Sequence, residues 1–270
     1  GCSIIAPVVV TATSLPIVTV NNTVICEGDY ATVTATPTTP GLYNYTWTVP
    51  VGASAPGNVS SFTSNVAGTY TVEITNSAIP LCVSLPASGE VVINPLPNAT
   101  VTASASQVCV DDTATVTFSG SLGTAPYTFE YNINGGTTQT ITSAGTEATI
   151  ALNTNAAGVL NINLISVSDA STTACSQTLT GVNYLVDVVP QPLLTIVNPT
   201  AICEGDTVDL QTTIIPFDNG LTYTYWTCIS ATTAVTNPAA VSSGTYYIKA
   251  TNSTGCSTIA EVIVTKSTTP

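Results

Sequence analysis

The chain has no histidine, no methionine and no arginine, and its only basic residues are Lys249 and Lys266. The missing histidine removes the usual general base of nucleophilic triads and a common zinc ligand, and no Cys-x-x-Cys pair offers zinc a thiolate site. A Ser–Lys arrangement would have to use Lys249, in a stretch of alternating character, or Lys266, at a module joint. Both read as solvated surface positions, so the chain is read as non-enzymatic. With 15 acids against 2 bases the net charge is −13, which excludes nucleic acid and disfavours anionic membrane surfaces, since both need clustered cations. No apolar run is long enough to cross a bilayer, and no basic segment followed by an apolar one opens the chain, so no membrane insertion is expected.

What is present is equally one-sided. Val, Ile and Thr dominate, with Gly and Pro at short intervals. β-branched side chains are stiff at χ1 and suit a pleated surface, and Gly and Pro punctuate short strands with tight turns. The composition predicts an all-β protein.

The sequence repeats. Ile25-Cys26-Glu27-Gly28-Asp29 returns as Ile202-Cys203-Glu204-Gly205-Asp206, with Val108-Cys109-Val110-Asp111-Asp112 as a degenerate copy. Each is followed by an alternating strand: 31–35, 114–118 and 208–212. Aromatic strands come next, at Tyr43-Asn44-Tyr45-Thr46-Trp47, Tyr127-Thr128-Phe129-Glu130-Tyr131 and Tyr223-Thr224-Tyr225-Trp226. Ala67-Gly68-Thr69-Tyr70 is echoed by Ser243-Gly244-Thr245-Tyr246, a second cysteine follows at Cys82, Cys175 and Cys256, and a Val/Ile strand ends each repeat. Repetition at this period, with alternating short strands, predicts tandem immunoglobulin-like β-sandwich modules in an elongated array. The modules are read as 15–96, 97–190 and 191–270. Prolines at Pro16, at Pro95 and Pro97, and at Pro190 and Pro192 mark stiff joints. The first residues, Gly1-Cys2-Ser3-Ile4, match Gly255-Cys256-Ser257-Thr258, so 1–14 reads as the last strand of a preceding module.

Eight cysteines without a metal pattern point to disulfides and an oxidising compartment. Pairing inside modules gives Cys26–Cys82, Cys109–Cys175 and Cys203–Cys256, each closing a loop worth about 4 kcal/mol in the chain-entropy picture and stapling one pole of its sandwich. Cys2 is assigned to the preceding module. Period-2 alternation places Cys228 on the face of Trp226, read as inward, where it is a buried thiol, an alternative partner of Cys203 or Cys256, or a cross-link between chains.

The acidic positions Glu27, Asp29, Asp111, Asp112, Glu204 and Asp206 recur at one place in the repeat. Paired carboxylates could serve glycoside hydrolysis, but a repeat rarely needs several active sites. The better reading is a turn before the second strand, with Gly28 or Gly205 supplying an unusual φ and Asp accepting backbone N–H bonds. Calcium is the competing reading. It is weakened because no Asp-x-Asp-x-Asp-Gly loop occurs and six oxygen ligands cannot be gathered from sequence neighbours. Tyr70 and Tyr246 fit a tyrosine corner, and Trp47 and Trp226 fit a core tryptophan.

These motifs together resemble the immunoglobulin-like or PKD-like repeats of giant cell-surface adhesins of the Bacteroidetes, and are similar to segments of gliding-motility adhesins exported by type IX secretion. The likeness covers essentially the whole chain and is specific for the repeat class, not for one adhesin. It implies an extracellular, cell-surface location and a stalk or filament that spaces an adhesive tip from the cell. The implied partners are neighbouring repeat modules or filament subunits, with no catalysis. It also implies O-glycan attachment at Asp112-Thr113-Ala114 and Asp206-Thr207-Val208, that is, at Thr113 and Thr207. The alternative is an array that binds carbohydrate or surface polysaccharide, which would expose an aromatic platform. Aromatics are 6% of the chain, and most are already assigned inward.

Overall fold

The computed structural model describes residues 12–78 and 82–267, and the expected strand of a preceding module, 1–14, falls almost wholly outside them. The alternating stretch at 31–37 shows how the sequence makes its sheets. Ala31, Val33 and Ala35 are buried while Thr32 and Thr36 are exposed, so one face of the strand is apolar and the other hydroxylated.

The first group of strands comprises β1 (Val18–Val20), β2 (Thr23–Cys26), β3 (Ala31–Pro37), β4 (Tyr43–Thr48), β5 (Ser61–Ser64), β6 (Gly68–Asn76) and β7 (Ala87–Asn94). They form two sheets, in the orders β1-β3-β5 and β2-β7-β6-β4. The first strand segment thus starts in one sheet (β1) and crosses to the other (β2), where it runs parallel to β7. Asn21, at the crossing, ties the chain to β3: its side-chain amide donates to the Thr32 carbonyl at 2.9 Å and its oxygen accepts from the Thr34 N–H at 2.6 Å. Gly89 on β7 is buried beneath that crossing, and any side chain there would meet the Asn21 carbonyl and Val20.

The second group repeats the plan with β8 (Asn98–Ala103), β9 (Gln107–Cys109), β10 (Thr115–Ser121), β11 (Thr128–Ile133), β12 (Gln139–Thr142), β13 (Glu147–Ala151), β14 (Gly158–Ser168), β15 (Ser176–Thr178) and β16 (Asn183–Val189). Its sheets run β13-β10-β8 and β12-β11-β14-β16-β9, with β15 on β14 and with β9 again parallel to the last strand, β16. Phe118, Phe129 and Tyr131 stack at its centre.

The third group has a sheet of β17 (Thr222–Trp226), β18 (Gly244–Thr251) and β19 (Ser257–Val264). The strand expected at 208–212 is replaced by a bridge at Val208 and a 3-10 turn, Leu210–Thr213. Asp209 is the cause. Its carboxylate accepts from the Gln211 N–H at 2.9 Å and its carbonyl from the Thr212 hydroxyl at 2.7 Å, which diverts the backbone from the ladder. Isolated bridges, Ile196 to Ile214 and Val208 to Val241, close the opposing face. Leu210, Ile214, Val241, Ile248, Val262 and Val264 are buried between the two faces.

The buried clusters draw on residues 18–93, 99–186 and 194–264 separately. Apolar burial is therefore satisfied locally, and what joins the groups is covalent and polar.

Candidate functional site at the cysteine junctions

Three equivalent turns end the segment that runs parallel to each last strand. The Asp29 N–H donates to the Cys26 carbonyl at 3.1 Å, Asp112 to Cys109 at 3.1 Å, and Asp206 to Cys203 at 3.2 Å. The third residue of each turn is left-handed: Gly28 at φ 94°, Asp111 at 69°, Gly205 at 91°. This is the conformation that favours glycine and tolerates aspartate, so the Glu-Gly-Asp motif is first of all a turn. Asp206 adds a carboxylate bond from the Cys203 N–H at 3.2 Å.

The second cysteines stand at three equivalent positions. In each, the antiparallel ladder ends on a pair (Thr75 with Val83, Ser168 with Ser176, Thr251 with Ser257), and the next positions outward are Asn76 and Cys82, Asp169 and Cys175, Asn252 and Cys256. The Asn or Asp side chain caps the loop. Asn76 accepts from the Ala78 N–H at 2.8 Å, Asp169 from the Ser171 hydroxyl at 2.7 Å, and Asn252 from the Cys256 N–H at 2.9 Å. Buried Asp169 also accepts from the Thr124 N–H at 2.9 Å. Burial pushes its carboxyl up, but these hydrogen bonds together outweigh it and leave the group below the ordinary carboxylate value. The sequence reading missed these capping residues, although an Asn or Asp shortly before each second cysteine was their visible signal.

The turns and loops meet across the joints, not within the modules. Cys26 is bonded to Cys175, with α-carbons 5.6 Å apart, and Cys109 to Cys256, at 5.5 Å. Cys82 and Cys203 are free thiols. The expected pairs Cys26–Cys82, Cys109–Cys175 and Cys203–Cys256 are therefore corrected. The reason is strand polarity. Cys26 pairs with Asn94 at the far end of β7, while Cys82 precedes the beginning of the same strand. At about 3.3 Å per residue those ends lie roughly 23 Å apart, against about 7 Å that a disulfide can span between α-carbons. The first cysteine of a module sits at its trailing pole and the second at its leading pole, so each trailing cysteine meets the leading cysteine of the next module.

Polar contacts follow the same seams. Asn94 donates to the Thr173 hydroxyl at 3.0 Å across the first junction. Across the second, Asn252 donates to the Pro190 carbonyl at 3.3 Å. The linking proline segment is tied as well, with Gln191 donating to the Val110 carbonyl at 3.2 Å.

The six acidic residues named as calcium candidates are all exposed and belong to these turns. Among the described residues no three of His, Cys, Asp and Glu come together in a way that could hold a metal ion. Glu204 instead pairs with Lys266 at 2.9 Å. Thr113 and Thr207 are exposed beside the second and third turns. Tyr70 is fully buried, with its hydroxyl donating to the Val66 carbonyl at 2.8 Å and bonded to Ser64 Oγ at 2.6 Å. Tyr246 makes the same bond to the Ser242 carbonyl at 3.0 Å.

Trp47 packs against the first core, edge-on to Phe62 at 5.0 Å. Trp226 does not follow it. Tyr223 and Tyr225 turn to the third core, so Trp226 takes the opposite face, and Cys228 with it. One residue fewer between Tyr and Trp than in the first module flips the tryptophan, because side chains alternate with period two. Cys228 is accordingly no core thiol. Hydrogen bonds from Ser230 at 3.4 Å and with Thr232 at 3.2 Å stabilise its thiolate and lower its pKa from 9.0 to about 6. Cys2 lies outside the described residues.

Two facing sheets with a first strand that crosses between them define the class: a run of immunoglobulin-like β-sandwiches. No family model matches the chain, and no curated protein matches its sequence. Solved structures do match in fold. Titin domains I67–I69 align over 95% of this chain and 100% of theirs, at 14% identity and a TM-score of 0.49. The N-terminal eight Ig domains of Down Syndrome Cell Adhesion Molecule align over 94% of this chain, which spans 37% of that one, at 15% identity and a TM-score of 0.46. Part of a 1.5-MDa bacterial ice-binding adhesin aligns over 94% of this chain and 98% of its own, at 12% identity and a TM-score of 0.42.

Proposed function

We propose that the chain is a structural segment of an extracellular, cell-surface repeat protein, a stalk that holds an adhesive tip away from the cell. The modules are 15–96, 97–190 and 191–270, stacked in an elongated array. The observation that carries this reading is the pair of disulfides that cross the module joints. A bond across a joint does little for a binding face but fixes the angle between modules and resists their separation. Such bonds persist in oxidising compartments, which fits export. The repeat motifs support a place among the Bacteroidetes gliding-motility adhesins exported by type IX secretion, with neighbouring modules as partners and glycans at Thr113 and Thr207. A polysaccharide-binding platform has less support. The large exposed aromatics among the described residues are Tyr30 and Phe217, which belong to different modules.

Small-angle scattering tests the reading. A single compact body of this length has a radius of gyration of about 18 Å. A stacked array gives a clearly larger value that is unchanged by chelator and becomes more variable on reduction. A value near the compact figure rejects the stalk.

A further inference from the structure

The flip of Trp226 places its ring on the outer face of the third module's sheet. There it lies beside Tyr247, its partner in the β17–β18 register, and Tyr247 lies beside Glu261 on β19. Ile248, Ala250, Val262 and Val264 are buried, so Tyr247, Lys249, Ile259, Glu261 and Ile263 point outward by alternation. The first module supplies the comparison. Its equivalent row reads Thr48, Thr71 and Ser88, with Glu73 in the place of Lys249 and Glu90 in that of Ile263. A face that bears hydroxyls and acids in the first module is aromatic and apolar in the third, around a cation.

Both rings have their polar atoms satisfied within the face. The Trp226 indole N–H donates to the Thr224 hydroxyl at 2.9 Å, and the Tyr247 hydroxyl donates to Glu261 Oε2 at 3.1 Å. What the rings leave open is apolar. Lys266 is paired with Glu204, so Lys249 is the one cation without an ion pair among the described residues.

Charge says what covers this face. In the β18–β19 register Tyr247 stands opposite Glu261 and Lys249 opposite Ile259. The four form a block, with Lys249 and Glu261 on one diagonal and Tyr247 and Ile259 on the other. A two-fold axis laid along the Tyr247–Ile259 diagonal sets Lys249 of each copy against Glu261 of the other. Tyr247 and Ile259 then meet their own counterparts, with Trp226 extending the apolar contact. Strand and residue spacings make the two sets of strands cross at roughly 70°, near the orthogonal class of sheet packing. The face is complementary to itself, as a two-fold interface requires.

We propose that the outer face of β17, β18 and β19 is a pairing surface, on which a second copy of this chain docks by the same face. The contact closes at two copies and uses neither end of the array. It goes beyond the stalk reading, because it joins two chains where their third modules cross. Both copies are strongly negative, with a net charge of −13 each. That repulsion is screened beyond about 8 Å at physiological salt, so it lowers the affinity and leaves the short-range Lys–Glu pairs in place.

The test is sedimentation velocity of the full chain over a concentration series. The chain carries Cys2→Ser, Cys82→Ser, Cys203→Ser and Cys228→Ser, so that no disulfide links copies. The expected result is a reversible monomer–dimer equilibrium. Lys249→Glu should weaken it at least about tenfold, and so should Glu261→Lys, because each sets like charges together at two places. Glu73 already occupies the position of Lys249 in the first module, so the fold accepts a glutamate there. Mixing the two variants should restore a dimer of one copy of each, since every lysine then meets a glutamate, and the double variant should pair with itself. A chain still monomeric at about 100 µM, where micromolar pairing would be nearly complete, overturns the proposal. So does a dimer untouched by either variant, a mixture that does not pair, or growth beyond two copies. A monomer that binds a soluble glycan and loses it in Trp226→Ala also overturns the proposal and gives the face to a saccharide. An elongated monomer sinks the pairing alone and leaves the stalk reading standing.

Discussion

Cys26 and Cys175 are separated by 149 positions in the chain and joined by a disulfide. The bond ties the trailing end of one sandwich to the leading loop of the next, so it spans most of two modules. Its counterpart, Cys109–Cys256, spans 147 positions in the same way. The linkage works as a splint at each joint, whereas a bond inside a module would only have stapled an individual fold.

Replacing Cys26 with serine should uncouple the first two modules. Loop-closure entropy for a span of this length is worth about 5 kcal/mol where both modules unfold together. Calorimetry of the oxidised protein should show merged transitions for modules one and two, and the variant should show them separated, with the first module melting earlier. Identical traces would mean that the splint has no thermodynamic role.

Asp169 should make the second cysteine loop acid-sensitive. Its carboxyl lies below the ordinary value of 3.8 in the folded protein. The carboxylate therefore contributes stability in full above the unfolded value, and loses it as pH falls through the lower folded one. Asp169→Ala should cost about 2 kcal/mol at neutral pH, the scale of hydrogen bonds to a charged group. Urea unfolding at neutral pH and near pH 3 checks the sign, since the gap between parent and variant should narrow in acid.

Cys228 should react as an acidic thiol. Its thiolate is held first by Ser230 and then by Thr232, with a pKa of about 6. Iodoacetamide labelling followed by mass spectrometry should reach half its maximal rate near that pH. Ser230→Ala with Thr232→Val should move the midpoint upward, toward the ordinary thiol value of 9.0.

Gly89→Ala should destabilise the first module by about 1–3 kcal/mol, the usual cost of forcing an extra group into a filled site. The added methyl would meet the Asn21 carbonyl and Val20, where the first strand crosses between sheets. Thermal unfolding should show the loss in the first module alone, leaving the transition of the third in place.

Tyr70→Phe should cost about 1–2 kcal/mol. The side chain is fully buried, and the change removes its bonds to Ser64 and the Val66 carbonyl, leaving those partners short of one each. Tyr246→Phe, whose bond to Ser242 is exposed, should cost measurably less in the same denaturant titration.

The sequence by itself determined the all-β class, the turns and most of the inward faces. These are local properties. Alternation at Ala31, Val33 and Ala35 decides which side of a strand is buried, and a left-handed position selects glycine at Gly28 and Gly205 wherever the turn finally sits. The flip of Trp226 was also written locally, in a spacing one residue shorter than that ending at Trp47, although the likeness of the two motifs hid it. Asp209, which turns an expected strand into a 3-10 turn, was visible only as one more acid. Tertiary structure alone decided the cysteine partners. Two cysteines of one module are close in sequence yet stand at opposite ends of a strand. Two from neighbouring modules are far apart in sequence yet meet where the modules abut. Pairing depends on which poles face each other, and that is fixed by strand direction and module order, not by distance along the chain.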